Sequence, residues 1–222
     1  MLSTNHKLRH SRPLMTRVKP KMDERPDVRN LLPGFEIFFE DEDINQDLFS
    51  TPKWATKILL DNVKFNGTIW EPACGIGAMS KCLETKYKVV STDLIDRGFG
   101  TGGMDFLTTD HLLANNIVTN PPYSFAREFV EHALEMQPAK TAFLLRTLFL
   151  ETGTRYEMFK KYPPVKVIVI SDRVMFNESE RPGGCWCLSW FIWEHGHKKG
   201  TQLEWARWTE NITQGENGNE KA

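Results

Sequence analysis

Two consecutive prolines constrain this chain more than any other feature. Residues 117–123 read Ile-Val-Thr-Asn-Pro-Pro-Tyr. Neither Pro121 nor Pro122 has an N–H to give a sheet ladder, and each fixes its own φ. A central strand must therefore stop at Asn120. A helical pattern resumes at once. Phe125, Phe129, Val130, Ala133 and Leu134 share one face, with Arg127, Glu128, Glu131 and Glu135 outside. The chain passes from strand to rigid turn to helix, and leaves an amide and a phenol at the strand's carboxyl end.

The same alternation runs through residues 50–195. "STPKWATKILLDNV" offers a Ser/Thr cap, a proline at a first helical position and an apolar face. "GTIWEPACGIG" is a strand entering a glycine turn, "AMSKCLETK" a helix, and "KVVSTDL" a second strand. "GMDFL" is a third short element, and "LLANNIVTN" a fourth strand that ends at the prolines. "KTAFLLRTLFLE" is a fifth strand with an exit, and "GTRYEMFKKY" a short helix. "VKVIVIS" and "CWCLSWFIWE" are two further strands joined by a loop. Alternating strands and helices followed by two close strands predict an α/β fold, its mostly parallel sheet ending in an antiparallel C-terminal edge hairpin. Ligands of such sheets bind at the carboxyl ends of the strands.

The turn Glu71-Pro72-Ala73-Cys74-Gly75-Ile76-Gly77 lies at one such end. Its glycines allow a tight turn and a close ligand, although a plain strand–helix turn has the same needs. A dinucleotide fingerprint requires a third glycine where Ser80 stands. Glu71 is also unsuited to a pyrophosphate and suited to a ligand with a cationic end. S-adenosylmethionine, with an ammonium and a sulfonium and no phosphate, has that character. Asp93 ends the second strand about 20 residues beyond the turn, where it can accept from ribose hydroxyls or cap a helix. Asp105 can accept from an adenine amine, with Phe106 beside the ring, or serve as a turn residue.

The proline turn has a chemical reading on the same edge. Methylating an exocyclic base amine requires a nitrogen whose lone pair is withdrawn from the ring. Two acceptors aimed at its N–H bonds achieve this. The Asn120 side-chain oxygen is one, and the Pro121 carbonyl is the second, held rigid by its ring and the next. Pro122 removes a competing donor. Tyr123 offers a face for a planar group. The bland alternative is a strand-ending turn with a buried tyrosine.

"EPACGIG" and "NPPY", in that order, resemble two motifs of class I S-adenosylmethionine-dependent amino-methyltransferases, above all small phage-type N6-adenine DNA methyltransferases. The resemblance covers residues 50–195 and implies a seven-stranded Rossmann-like sheet. It implies that Glu71, Ala73, Gly75, Gly77, Asp93, Leu94, Asp105 and Phe106 hold the cofactor. It also implies that Thr51, Pro52 and Trp54 lie near its methionine end or entrance, and that Asn120 borders both ligands. Asn120, Pro121, Pro122 and Tyr123 hold the target amine. No metal is implied. DNA is the expected partner and RNA the alternative. Protein glutamine methylation and a non-catalytic binding module are weaker readings, because residues 1–48 do not read as a helical domain and neither motif is eroded.

The sequence departs from relatives with a separate target-recognition domain. It leaves only residues 1–48, 96–104 and 177–184 for that role. Arg97 and Arg181 sit among glycines in the two loops, either solvated or reaching a backbone or base, and Arg173 follows a strand. Three segments are expected: an irregular arm at 1–48, a methyltransferase domain at 49–210 and a polar tail at 211–222. The net charge of -1 announces no global affinity for nucleic acid. The first 30 residues, however, hold eight basic and three acidic side chains, and six acidic ones follow by residue 47. That arm is either solvated or a phosphate contact. The four cysteines lack paired zinc spacing and are expected to be buried thiols. No leader or membrane-length apolar run appears, so a cytoplasmic chain with no membrane partner is expected.

Overall fold

The computed structural model describes residues 49–176 and 182–208. The expectations for the arm at 1–48, for Arg181 and for the tail at 211–222 lie outside them.

Seven strands form one sheet. They are β1 (Ile69–Glu71), β2 (Val89–Ser91), β3 (Asn116–Thr119), β4 (Lys140–Arg146), β5 (Lys166–Ile170), β6 (Leu188–Glu194) and β7 (Gln202–Ala206). Their order across the sheet is β2-β1-β3-β4-β6-β5-β7. β2, β1, β3 and β4 run parallel, as do β5 and β7, while β6 is antiparallel to both its neighbours. Helices α1 (Lys53–Asn62), α2 (Ala78–Leu83), α3 (Ala126–Glu135) and α4 (Gly153–Lys161) complete the domain.

The faces follow from period-two alternation along strands buried on both sides. Ala142 and Leu144 of β4, with Trp190 and Ile192 of β6, pack with Ile58 and Leu59 of α1 and Leu83 of α2. Phe143, Leu145, Phe191 and Trp193 point the other way, to Phe129 and Val130 of α3 and Met158 of α4. The Trp190 indole N–H donates to the Ala55 carbonyl at 2.9 Å, which fixes α1 on the sheet without orphaning a buried polar group.

The alternating α/β architecture and the antiparallel pair β5–β6 agree with expectation. The location of that pair does not. β6 is inserted between β4 and β5, so it lies inside the sheet rather than on its edge. Its near-continuous apolar run is what two covered faces require. β7, unforeseen in the sequence, forms the edge. It carries exposed Leu203 and Trp205 and so lacks the buried apolar pattern that marks a strand.

Three local readings also change. α1 takes Pro52, not Ser50 or Thr51, as its N-cap residue, and the Pro52 carbonyl accepts from the Ala55 N–H at 3.0 Å. The "GMDFL" segment is no strand. Asp105 instead caps a 3-10 turn at Phe106–Thr108 by accepting from the Leu107 N–H. Cys185-Trp186-Cys187 precedes β6, with only Trp186 bridged to Val174. Cys185 and Cys187 are exposed, whereas Cys74 and Cys82 are buried as expected.

Candidate active site

The carboxyl ends of β1, β2 and β3 share one rim of the sheet, because these strands are parallel and adjacent. That topology brings Glu71, Asp93 and Asn120 from distant sequence positions to one edge.

The glycine turn is built as the sequence implies. Gly75 and Gly77 have φ of +55° and +83°, where a side chain is strained. Gly77 is also pressed by the Phe99 ring, which would lie 2.5 Å from a Cβ there. The second glycine is thus required by packing within the chain itself. Asp93 holds the turn from below. One carboxylate oxygen accepts from the Gly75 N–H at 2.8 Å, and the other from the Ile95 N–H at 2.9 Å and from Arg97 at 3.0 Å. Arg97 is therefore no free loop arginine. Its side chain is about as buried as that of Asp93, and the pair closes residues 93–97 on themselves.

Glu71 is fully enclosed, with 2% of its surface exposed. It accepts from the Ser80 hydroxyl, which in turn meets Ser91 Oγ at 2.6 Å. Burial pushes the Glu71 carboxyl up to about 8. The Ser80 hydrogen bonds oppose that rise, and the charges of Asp93 and Glu84 add to it. The same burial, with Glu71 and Asp93 nearby, pushes the Cys74 thiol up to about 12. This corner of the rim disfavours added negative charge. A cation beside it would relieve the cost, whereas a phosphate would aggravate it. The donor set thus fits a ligand with a cationic end.

Asn120 is held from the segment before α1. Its amide nitrogen donates to the Phe49 carbonyl at 3.3 Å and to Thr51 Oγ1 at 3.1 Å. Its Oδ1 is buried and, among the described residues, accepts from nothing. An unsatisfied buried carbonyl costs about 1–3 kcal/mol, and such groups are rare in folded chains. Pro121 is buried behind it, and the Pro122 carbonyl accepts from the Phe125 N–H at 3.0 Å. The Tyr123 ring joins a cluster with Phe49 at 5.6 Å, Trp186 at 5.7 Å and Phe176 at 6.3 Å between centroids. The Arg146 guanidinium lies 5.2 Å from the Trp186 ring.

The other expected residues fall as follows. Ala73 is half-buried in the glycine turn, and Leu94 is 61% exposed beyond β2. Thr51, Pro52 and Trp54 are buried at the start of α1. Thr51 meets the catalytic-turn candidate Asn120, and the Trp54 indole N–H has no partner among the described residues. Asp105 Oδ1 is engaged in its own cap. Phe106 is core, its ring 5.2 Å from Trp70 and 4.9 Å from Phe129. Arg173 donates to the Cys185 carbonyl at 3.1 Å. Sequence reading missed Phe49, Ser80, Phe99 and Trp186. Each acts through a partner at least nine residues away, which no local pattern records. Among the described residues no cluster of His, Cys, Asp or Glu could hold a metal, and no helix is long and apolar enough to cross a membrane.

No protein-family model matches the sequence, and no curated protein matches it. Solved structures do. The fold is that of class I S-adenosylmethionine-dependent methyltransferases. A putative class I methyltransferase from Listeria monocytogenes aligns with a TM-score of 0.50 at 18% identity, over 74% of this chain and 70% of that one. A modification subunit of a putative type I restriction enzyme from Vibrio vulnificus aligns with a TM-score of 0.52 at 12% identity, over 74% of this chain. The alignment spans about half (48%) of that longer subunit. A putative RNA methyltransferase from Pyrococcus horikoshii aligns with a TM-score of 0.51 at 11% identity, over 71% and 92% of the two chains.

Proposed function

We propose that this chain is an S-adenosylmethionine-dependent methyltransferase that modifies the N6 amine of adenine in DNA, taken as a flipped base. One observation carries the reading. Asn120 Oδ1 is a buried acceptor with no donor among the described residues, at the carboxyl end of β3 and ahead of two prolines. A base amine would satisfy it. The fold and the Asn-Pro-Pro-Tyr turn support the reading together, and a modification subunit is among the proteins that share the fold.

When bound, the cofactor would supply an electrophilic methyl group to the amine nitrogen, its sulfur keeping the electron pair of the carbon–sulfur bond. The rest is the work of this chain. The buried rim of Glu71 and Asp93 favours the cationic end of the ligand. Gly75 and Gly77, with Ala73, Leu94 and Asp105, line the rest of its seat. Asn120 Oδ1 and the Pro121 carbonyl accept the two amine hydrogens, which frees the nitrogen lone pair. The nitrogen loses one proton after transfer. Tyr123 stacks on the base. Phe49 lies too close to Tyr123 for a base between them, since two stacked layers need roughly 7 Å and the centroids are 5.6 Å apart.

The test is nucleoside mass spectrometry on DNA and RNA from cells expressing wild type or Asn120→Ala. N6-methyladenine in DNA that appears only with the wild type is expected. Its appearance in RNA alone would replace DNA with RNA as substrate. Equal methylation by both proteins would remove Asn120 from the chemistry.

A further inference from the structure

Asn120 can serve as an acceptor only if its amide faces the right way. An asparagine side chain is nearly symmetric in shape. Turned by half a rotation, it would point an NH2 group at the incoming amine, donor against donor. Something must hold it.

The structure supplies two holds, both from the segment that leads into α1. The Phe49 carbonyl can only accept, so the amide nitrogen and not the oxygen must face it, at 3.3 Å. That contact fixes the direction of the amide but is long. Thr51 Oγ1 takes the second N–H at 3.1 Å. With both hydrogens engaged, the oxygen is the only part of the amide left, and it is the atom without a partner. Thr51 is itself 4% exposed, so water does not compete for the bond. Pro52 follows it as the N-cap residue of α1, with φ of -58°, and stiffens the segment. Among the described residues, the hydrogen bond seen at the Thr51 hydroxyl oxygen is the one it accepts from Asn120.

We propose that Thr51 is a positioning residue for the catalytic turn: it clamps the Asn120 amide so that Oδ1 faces the target amine. The assignment rests on the acceptor reading of Asn120. It differs from the expectation that Thr51 borders the cofactor's methionine end. Thr51→Val keeps the shape and removes the acceptor, and Thr51→Ser restores it. The amide then rests on the weaker Phe49 contact alone.

The test compares Thr51→Val, Thr51→Ser and Asn120→Ala in full-length protein. Methyl transfer to adenine-containing duplex DNA gives kcat and KM, calorimetry gives S-adenosylhomocysteine affinity, and 15N NMR follows the Asn120 side-chain amide. Thr51→Val is expected to lose about tenfold in kcat, the worth of one enclosed hydrogen bond. Cofactor affinity should stay within about twofold of wild type, and hydrogen exchange at the Asn120 amide should speed up by about tenfold. Thr51→Ser should recover both. Full kcat in Thr51→Val with an inactive Asn120→Ala would overturn the positioning role and leave the acceptor standing. Full activity in Asn120→Ala would overturn the acceptor, and the catalytic role of Thr51 with it. A loss of cofactor affinity at unchanged kcat would assign Thr51 to the cofactor instead. Thr51→Ala, which needs no extra room, carries the same comparison if the valine variant does not fold.

Discussion

Glu71→Gln should make the protein's stability less dependent on pH. In the folded chain burial raises the Glu71 carboxyl from 4.5 to about 8. Between those values the folded chain holds a proton that the unfolded chain has released. Folding stability from this group is fully present below 4.5 and is lost as pH rises toward 8. The slope is about 1.4 kcal/mol per pH unit. From about pH 5.5 to 7.5 the wild type should therefore lose roughly 3 kcal/mol that Glu71→Gln keeps. Glutamine has nearly the same shape and still accepts from Ser80, so packing is preserved. Cys74, which Glu71 also raises, is held at about 12 and does not ionise in this range. At this chain length 1 kcal/mol moves Tm by about 2–4 °C. The melting-temperature gap between the two proteins should thus shift in favour of the variant by roughly 6–12 °C across that range. Thermal unfolding by circular dichroism, without ligand, measures it. A gap that stays constant from pH 5.5 to 7.5 would mean that Glu71 is already ionised in the folded chain. The acidic rim would then carry two full negative charges, and the physical account of its preference for a cation would need rebuilding.

Two further outcomes follow from the same geometry. Asp93→Ala removes the acceptor of the Gly75 and Ile95 N–H groups and one acceptor of the buried Arg97. It should cost about 3–5 kcal/mol in urea unfolding, so its effect on cofactor affinity must be read in protein shown to be folded. Of the four thiols, Cys185 and Cys187 are exposed while Cys74 and Cys82 are buried. A disulfide reagent at neutral pH should titrate two thiols in the native protein and four after denaturation, and prompt reaction of all four would contradict the packing of α2 and the glycine turn.

The residues of the site were legible in the sequence because each motif is a local backbone event. Pro121 and Pro122 end a strand wherever they stand. Gly75 and Gly77 mark positive φ, and both have it. The two-residue period of β4 and the helical period of α3 state which side chains face inward. What these residues touch was not legible. Asn120 is oriented by Phe49 and Thr51, about 70 positions away. Glu71 takes its raised pKa from enclosure and from the charges around it, which only the packed rim creates. Phe106 packs on Phe129 and Trp70 in the core, contacts that no local pattern records. Arg97 reads as a loop arginine until Asp93 closes on it. The strand order carries the same lesson. β5 and β6 announce themselves by apolar content, but their order is settled by which faces α1, α3 and α4 leave to be covered, and β7 joins through backbone hydrogen bonds that its exposed side chains do not advertise. Backbone preference is a property of neighbours in the chain, and so the sequence by itself determined the turns and the strand–helix alternation. Burial, orientation and pKa belong to neighbours in space, and only the tertiary structure decided them.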